Sequence, residues 1–325
     1  MYRIKLSVII PVFNAESYMG RCVRSLFEQT LDDIEYIFVN DGTTDRSIQQ
    51  LQQLVTEYPD RAANVKIISH ETNKGVAATR NTGLGQATGD YIGWVDSDDW
   101  VDAEMFSQLY HEAVKHCSDL VWCDFYNVRE GQKQLESLRC REDPVDVIKA
   151  ILSGTRHGTL CTCIAKRELY TEYEIRFPEG INMMEDKYVL VQLMFFAKRI
   201  KYIPRPYYYY EKGNVTSATS AWNNLRVPRE AIDSLNATID FLTHTTLRRT
   251  LWQEMKYARL ILKRGLLNSL DIASFKMWRD LFPGDNKDIW SCPNMTWRQK
   301  LLGWSISHNY WVIARIWISL KKRYH

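Results

Sequence analysis

The amino-acid sequence predicts an α/β fold in which a doubly wound, mostly parallel sheet carries helices on both faces, followed by a helical C-terminal extension. Two observations lead to this fold class. Short apolar, β-branched runs alternate with amphipathic stretches through the N-terminal part of the chain, and this alternation is typical of parallel sheets. With 325 residues and 45% hydrophobic content, the chain can bury a large core, as one large domain or two unequal ones.

The predicted elements alternate regularly up to residue 123. The first strand, residues 4–10, is apolar and stops at Pro11, as expected for a strand buried in a parallel sheet. Further strands are expected at 34–39, 65–69, 91–95 and 120–123, and helices at 16–29, 45–58, 76–86 and 103–115. Beyond residue 135 the pattern loosens into a tyrosine-rich stretch, 207–210, best explained as a buried strand, and helical segments from residue 227 onward.

Polar residues collect just after the predicted strands. They are Phe13-Asn14, Asn40-Asp41-Gly42, Asn73-Lys74-Gly75 and Asp96-Ser97-Asp98-Asp99. Ligands of open α/β sheets bind beyond the carboxyl ends of the strands, so these loops are expected to meet at one edge. Asp96 and Asp98 can turn to the same side, and such a pair suits Mg²⁺ or Mn²⁺ that also holds a diphosphate.

Each of these loops also has a purely structural explanation. The acidic run could form an Asx turn or a helix N-cap, with Asp99 capping a helix that begins near Asp102. Asp41 lies in an ordinary NDG turn, and Lys74 could be a solvated turn lysine. Taken together, these loops favour a binding site. Turns alone do not need acidic groups at two strand ends, together with a lysine and with Arg80 on the intervening helix.

Composition argues against several other classes of protein. A net charge of +3 is too mild for a nucleic-acid-binding protein, so no nucleic acid is expected as a partner. No run reaches the ~18 apolar residues of a membrane-spanning helix. Seven cysteines without a paired CxxC arrangement, and no secretory segment at the N-terminus, predict a cytoplasmic protein. Cys161 and Cys163 are expected to be buried thiols and not zinc ligands.

Four sequence blocks resemble the signature blocks of family 2 glycosyltransferases, in the same order. They are SVIIPVFN at 7–14, VNDGTTD at 39–45, NKGVAATRNTG at 73–83 and GDYIGWVDSDDW at 89–100. The resemblance implies the GT-A fold, a single nucleotide-binding α/β domain, and inversion of configuration at the transferred sugar. It also implies a nucleotide-sugar donor, in this family usually a UDP-sugar.

The resemblance assigns roles to the residues at the strand ends. Pro11 and Asp41 are expected to line the nucleoside pocket, with Asp41 reading the base, and Lys74 is expected near the base or the phosphates. Asp96 and Asp98 form the family's DxD pair. Asp98 is then the principal ligand of a Mn²⁺ or Mg²⁺ ion, and Asp96 lies near the ribose and the metal.

Other residues are expected to support the site. Asn14 is expected to shape the first loop, and Arg80 and Asn81 to hold the sugar or stabilise a loop. Lys212, after the tyrosine run, is a candidate for contacting the diphosphate.

The general base is expected in the segment MMEDKY at 183–188. By the resemblance, a Glu-Asp pair ahead of a helix supplies the base, which makes Asp186 the catalytic residue. Family members often have a glycine where this chain has Met184. Alternatively, Glu185 and Asp186 are simply first-turn acids favoured by the helix dipole.

The C-terminal residues 221–325 are expected to form a helical region separate from the catalytic domain, residues 1–220. From residue 289 onward there are six Lys or Arg residues and no Asp or Glu. Trp297, Trp304 and Trp311 recur every seven residues and would share a helix face, and Thr296 with Gln299 predicts a capping box. This pattern favours an interfacial membrane anchor over a helix packed on the catalytic domain.

The predicted reaction is transfer of the sugar to a saccharide or lipid-linked saccharide acceptor, in cell-surface polysaccharide synthesis on the inner face of the membrane. Two alternatives remain. A catalytically inactive nucleotide-sugar-binding module would have Asp186 far from the donor pocket. A sugar nucleotidyltransferase should have a glycine-rich, basic loop after the first strand, but residues 11–16 contain no glycine. A phosphatase with an aspartate nucleophile is excluded, because no aspartate follows the first strand.

Overall fold

A computed structural model describes residues 3–214, 229–268, 271–314 and 316–317. The chain divides into two compact units. The first comprises Met1–Ile148 and Gly158–Val215, and the second comprises Lys149–His157 and Thr216–His325. The sequence pattern does not predict that residues 149–157 belong with the C-terminal part of the chain. The predicted boundary at residue 220 lies outside the described residues.

One nine-stranded sheet runs through the described part of the first unit. Its strands are β1 (Leu6–Val12), β2 (Ile34–Asn40), β3 (Val65–Ser69), β4 (Tyr91–Trp94), β5 (Trp100–Val101), β6 (Leu120–Arg129), β7 (Gln132–Glu136), β8 (Cys163–Lys166) and β9 (Ile200–Glu211). The helices that accompany them are α1 (Glu16–Phe27), α2 (Ser47–Glu57), α3 (Pro59–Ala62), α4 (Val76–Gln86), α5 (Met105–Lys115), α6 (Pro144–Leu152), α7 (Arg167–Glu172) and α8 (Glu185–Phe196).

The strand order is β3-β2-β1-β4-β8-β6-β9-β5, with β7 paired to β6. Strands β3, β2, β1 and β4 are mutually parallel. Beyond β4 the sheet is mixed, because β8 runs antiparallel to both β4 and β6, whereas β9 runs parallel to β6. The predicted α/β class is confirmed, and the predicted strands and helices up to residue 123 are all present.

The inner strands β1 and β2 form because their side chains are mostly apolar on both faces. Every residue of β2 from Ile34 to Val39 is buried, as is all of β1 except Pro11. The one acidic member, Glu35, receives hydrogen bonds from Ser7 Oγ (2.6 Å) and the backbone N of Thr88 (2.6 Å). A buried carboxylate with such partners avoids the penalty of an unpaired polar group.

The alternative explanation in which Asp99 caps a helix is wrong. Helix α5 begins at Met105, and Asp99 points to β9 instead. Its Oδ2 accepts from Tyr208 Oη (2.5 Å) and its Oδ1 from the backbone N of Glu211 (2.8 Å). The tyrosine-rich stretch forms part of β9, as predicted, with the Tyr208 hydroxyl bonded inside the fold. Asp99 therefore ties the end of β9 to the loop after β4.

The second unit is helical in its described part. It contains α9 (Arg229–Thr243), α10 (Trp252–Lys263), α11 (Ile272–Asp280) and α12 (Trp297–Ser307), with 3₁₀ turns at Arg264–Asn268 and Pro283–Asp288. Fully buried apolar side chains, among them Leu266, Phe275 and Trp278, form its core. Burial of each such side chain stabilises the fold by about 1.5–3 kcal/mol.

The C-terminal helix is shorter than predicted. The capping box of Thr296 and Gln299 is present at its start. The expectation that Trp297, Trp304 and Trp311 share one helix is wrong, because α12 ends at Ser307 and Asn309 adopts a left-handed conformation (φ 62°). Helical conformation resumes at residue 311, and residues 318–325 lie outside the described part. None of the described helices is long and apolar enough to cross a membrane.

Candidate active site

The polar loops after the strands meet at one edge of the sheet, as predicted. Strand β1 pairs in parallel with both β2 and β4, so the loops after these three strands are neighbours. Asn14 follows β1, Asp41 follows β2, and Asp96 follows β4. The order β2-β1-β4 in the sheet therefore places the three loops side by side.

Asp41 is buried, with only 3% of its surface exposed. Its Oδ1 accepts hydrogen bonds from the backbone N of Lys74 (2.8 Å) and from His70 Nδ1 (2.8 Å), and its Oδ2 accepts from the backbone N of Gly75 (2.9 Å). The other ring nitrogen of His70 lies 2.9 Å from Thr82 Oγ1. The carboxylate therefore organises the loop before α4. His70 was not predicted as a site residue, although it follows β3 directly, just as Asp41 follows β2.

Two glycines allow these loops to approach each other. Gly42 has φ +68°, and a Cβ there would lie 2.8 Å from the backbone N of Asn73. Gly75 has φ +88°, and a Cβ there would collide with the side chain of Asn182. A side chain at either position would meet both a strained backbone and a neighbouring loop.

Other predicted residues of the donor pocket lie at the same edge. Pro11 is half-buried near the end of β1, and the Lys74 side chain is exposed. Asn14 Oδ1 accepts from Thr43 Oγ1 (2.9 Å) and from the backbone N of Thr44 (3.0 Å). Asn14 therefore shapes the first loop, as expected.

The acidic run after β4 contains carboxylates in different surroundings. Asp96 and Asp98 are half-buried, and Asp99 is fully buried. Asp98 Oδ2 accepts from Asn214 Nδ2 (2.8 Å). Burial and the charge of Asp96 raise the pKa of Asp98, and burial together with the charges of Asp98 and Asp96 raises the pKa of Asp99 well above its usual range. This crowding of negative charge makes the loop a favourable place for a cation.

Arg80, on α4, connects the acidic run to a second acidic segment. It is buried, with 4% of its surface exposed. Its Nη2 lies 2.8 Å from Asp96 Oδ1, and its Nη1 forms an ion pair with Glu185 Oε1. The sequence analysis identified Arg80 but not this bridge, because the partners are 16 and 105 residues away.

Glu185 and Asp186 form the first turn of α8, as the sequence pattern predicts. Met184, at the position where the resemblance implies glycine, is left-handed with φ 62°, a conformation that glycine adopts without strain. Burial and the charge of Glu185 raise the pKa of Asp186 to about 7. Burial lowers the pKa of the next residue, Lys187, to about 8. Asp186 is therefore a carboxylate whose proton affinity suits exchange near neutral pH.

The acidic run supplies only some of the ligands that a divalent cation needs. Within the described ranges, no group of three His, Cys, Asp or Glu side chains converges as in a metal site made by protein alone. Asp96 already accepts from Arg80 and lies 3.4 Å from Cys161 Sγ, which leaves Asp98 as the main candidate ligand. Mg²⁺ sites often combine one or two carboxylates with substrate phosphates, and these residues fit that arrangement.

The remaining candidates lie near the end of β9 and around Asp96. Lys212 donates its backbone N–H to Val128 O (2.7 Å), and its Nζ lies over the Tyr210 ring. No disulfide forms among the seven cysteines, all of which are in the described residues. Cys161 and Cys163 are buried thiols, as predicted.

Comparisons with known proteins identify the family of this chain. The family model of glycosyl transferase family 2 matches residues 7–173. The uncharacterized glycosyltransferase EpsJ of Bacillus subtilis is 34% identical over 214 residues, which cover 64% of this chain and 61% of EpsJ. Poly(ribitol-phosphate) beta-glucosyltransferase of Bacillus spizizenii is 31% identical over 211 residues, which cover 64% of this chain and 32% of that protein. The chain thus spans less than two thirds of these relatives.

Solved structures share the fold. The crystal structure of S. aureus TarS 1-349 in complex with UDP-GlcNAc matches with a TM-score of 0.73 at 21% identity, covering 96% of this chain and 91% of that one. The mannosyltransferase PcManGT from Pyrobaculum calidifontis, in complex with GDP-Man and Mn²⁺, matches with a TM-score of 0.58 at 16% identity, covering 99% and 85%. On the family match and the fold together, the chain belongs to glycosyl transferase family 2.

Proposed function

We propose that the protein transfers a sugar from a nucleoside diphosphate donor to an acceptor hydroxyl, with inversion at the anomeric carbon. The observation that carries this proposal is the bridge Asp96–Arg80–Glu185 around the buried Arg80, which connects the strand-end carboxylates to the first turn of α8, where Asp186 lies. A donor-binding module without catalysis would not need the two acidic segments joined in this way.

The donor is a UDP-sugar in this proposal. Support comes from TarS, which shares the fold and was solved in complex with UDP-GlcNAc. Asp41 would read the base, Pro11 would line the nucleoside pocket, and Lys74 would contact the base or the phosphates. The position of all three at one sheet edge is consistent with these roles.

Asp186 acts as the general base. A hydroxyl is a poor nucleophile, so a positioned base must accept its proton as it attacks the anomeric carbon. A carboxylate with a pKa of about 7 is a stronger base than an exposed aspartate and is still partly ionised at neutral pH. The sugar moves in one displacement, and the nucleoside diphosphate leaves without a covalent enzyme intermediate.

A divalent cation, Mn²⁺ or Mg²⁺, would be held by Asp98, with Asp96 beside it. When bound, it would compensate the charge that develops on the leaving diphosphate. The ion pair with Arg80 would keep the Asp96 carboxylate oriented at the sheet edge.

The acceptor is a saccharide or a lipid-linked saccharide, and the process is cell-surface polysaccharide synthesis. Support comes from the similarity to a poly(ribitol-phosphate) beta-glucosyltransferase. The active site belongs to residues 1–220, and the helical residues 221–325 provide the peripheral membrane contact in a cytoplasmic enzyme. Exposed Trp297 and the excess of basic residues after residue 289 support this contact.

The proposal is tested by screening nucleotide sugars for thermal stabilisation with and without Mn²⁺, followed by assay of the stabilising donor for sugar release or transfer. Ligand binding to the native state raises its apparent stability. We expect UDP-sugars to stabilise the protein in the presence of the metal and to turn over. Stabilisation without any turnover, across a range of acceptors, would instead identify an inactive binding module.

A further inference from the structure

Helix α4 holds the segment that leads into α8 through consecutive side chains. Asn81 Nδ2 donates to Phe177 O (2.9 Å), and Asn81 Oδ1 accepts from the backbone N of Phe177 (2.9 Å). The Arg80 guanidinium lies 5.4 Å from the centre of the Phe177 ring and forms its ion pair with Glu185. The start of α8 is thus fastened to α4, which begins directly after the loop that carries Lys74 and Gly75.

The first turn of α8 has one side-chain hydrogen bond of its own, in which Asp186 Oδ1 accepts from the backbone N of Lys187 (2.7 Å). Helix N-termini leave backbone N–H groups without intrahelical partners, and a side-chain cap normally satisfies one of them. The N-cap residue of α8, Met184, provides no side-chain cap hydrogen bond. Glu185 is the first helical residue and is 6% exposed, and its ion pair with Arg80 links this helix end to α4.

Stability alone is a poor explanation for this ion pair. The Nε of Arg80 is buried and has no hydrogen-bond partner among the described residues. Taking a guanidinium and a carboxylate out of water is costly, and apolar residues of similar size in place of such a pair are often neutral or stabilising. The ion pair between Arg80 and Glu185 is therefore better explained by a need to position these side chains than by a gain in stability of the fold.

We propose that Glu185, held by Arg80, is a positioning residue that fixes the first turn of α8 and so directs the Asp186 carboxylate at the acceptor hydroxyl. This inference rests on the proposed function. The two acids then have different roles. Asp186 accepts the proton, and Glu185 fixes the position at which Asp186 accepts it. Replacement of Glu185 should then lower kcat and leave donor binding in place.

The test compares Glu185→Gln with the double variant Glu185→Met/Arg80→Met, using kcat, the affinity for UDP with Mn²⁺, and the melting temperature. Gln keeps an acceptor for Arg80 but loses the charge, so we expect kcat to fall about tenfold at an unchanged UDP affinity. The double variant removes both charges of this ion pair, and it also takes the Arg80 partner from the half-buried Asp96. We expect it to fold with a melting temperature close to wild type and with kcat lowered about 100-fold.

Asp186→Asn, measured in parallel, separates this inference from the proposed function. Retained turnover in Asp186→Asn would contradict Asp186 as the base, and absence of turnover in the wild type with every UDP-sugar tested would contradict the proposed function itself. An inactive Asp186→Asn combined with a folded double variant of wild-type kcat would overturn the positioning role alone. If the double variant does not fold, Glu185→Gln decides: selective loss of kcat supports the positioning role, and either no loss or an equal loss of UDP affinity contradicts it.

Discussion

At the scale of single residues, the surroundings of each carboxylate decide what it can do. Asp41 is occupied by the backbone N–H groups of Lys74 and Gly75, so it orders a loop in addition to any contact with a base. Asp98 and Asp186 are both harder to ionise than an exposed aspartate, because of burial and a neighbouring acid. The sequence could predict these residues from their motifs, but not their environments, which depend on contacts with distant segments.

The raised pKa of Asp98 leads to a prediction for Asp98→Asn. A carboxyl group whose pKa is raised on folding destabilises the protein where it is ionised, above that pKa. At pH 8 we therefore expect the variant without ligand to melt no lower than wild type. We expect affinity for UDP in the presence of Mn²⁺ to fall about tenfold or more. Loss of residues that only hydrogen-bond to a metal ligand already lowers metal affinity by about 10- to 100-fold, and loss of the ligand itself should cost at least as much. Calorimetry with UDP and Mn²⁺ measures this affinity, and an unchanged value would remove Asp98 from the site.

The pH dependence of turnover follows from Asp186. The base must be deprotonated, and its pKa is raised from the usual aspartate value to about 7. The folded state therefore retains the proton up to that pH, so kcat should rise as the pH increases from 5 and level off above about 8. A pH profile of kcat at saturating donor measures this. A flat profile between pH 5 and 7 would mean that a group with an ordinary carboxyl pKa, or no base, limits the reaction.

At the scale of elements, the predictable parts are those with local signals. Strands β1 to β4 follow from their apolar runs, and the start of α12 follows from Thr296 and Gln299. The antiparallel insertion of β8 between β4 and β6 has no local signal, because pairing partners are set by tertiary contacts. The end of α12 was missed because the apolar pattern continues past the turn at Asn309.

The start of α8 gives a prediction about backbone strain. Met184 has φ 62°, which costs a residue with a Cβ about 1–2 kcal/mol relative to glycine. Glycine also makes the unfolded chain more flexible, which offsets about 0.4–1 kcal/mol. We therefore expect Met184→Gly to raise the free energy of unfolding by up to about 1 kcal/mol, measured by urea denaturation. The control is Met183→Gly, at a neighbouring position without positive φ, which should lower the free energy of unfolding. Equal effects of the two substitutions would contradict backbone strain at Met184.

At the scale of the whole molecule, a mixed sheet with the candidate site and a helical unit are joined in one chain. The sequence analysis predicted both parts from the change in pattern, but residues 149–157 carry no signal of their place in the helical unit. In α12, Leu302 and Ile306 are buried, whereas Trp297 is 67% exposed. This helix therefore supports its own unit with one face and offers an exposed tryptophan beside Arg298 on the other.

The proposed membrane contact is best tested at that exposed face, because deletion of α12 would also remove buried side chains. We expect Trp297→Ser to weaken binding to vesicles that contain anionic lipid without lowering the melting temperature. Raised salt should weaken binding further, since each basic residue near such a surface contributes about 1 kcal/mol. Trp252→Ser, at another exposed tryptophan on α10, is the matched control. Equal binding of both variants and wild type would contradict a contact through α12.

The most direct test of the proposed transfer reaction is the turnover of Asp186→Asn with its donor affinity measured on the same protein. Asn keeps the size of the side chain but cannot accept a proton, so the donor should bind as before. Loss of a positioned base costs about 10²- to 10⁴-fold in rate, and we predict that kcat falls by this amount with little change in donor KM. A variant that turns over within about threefold of wild type would contradict the role of Asp186 as the base and the mechanism proposed for this site.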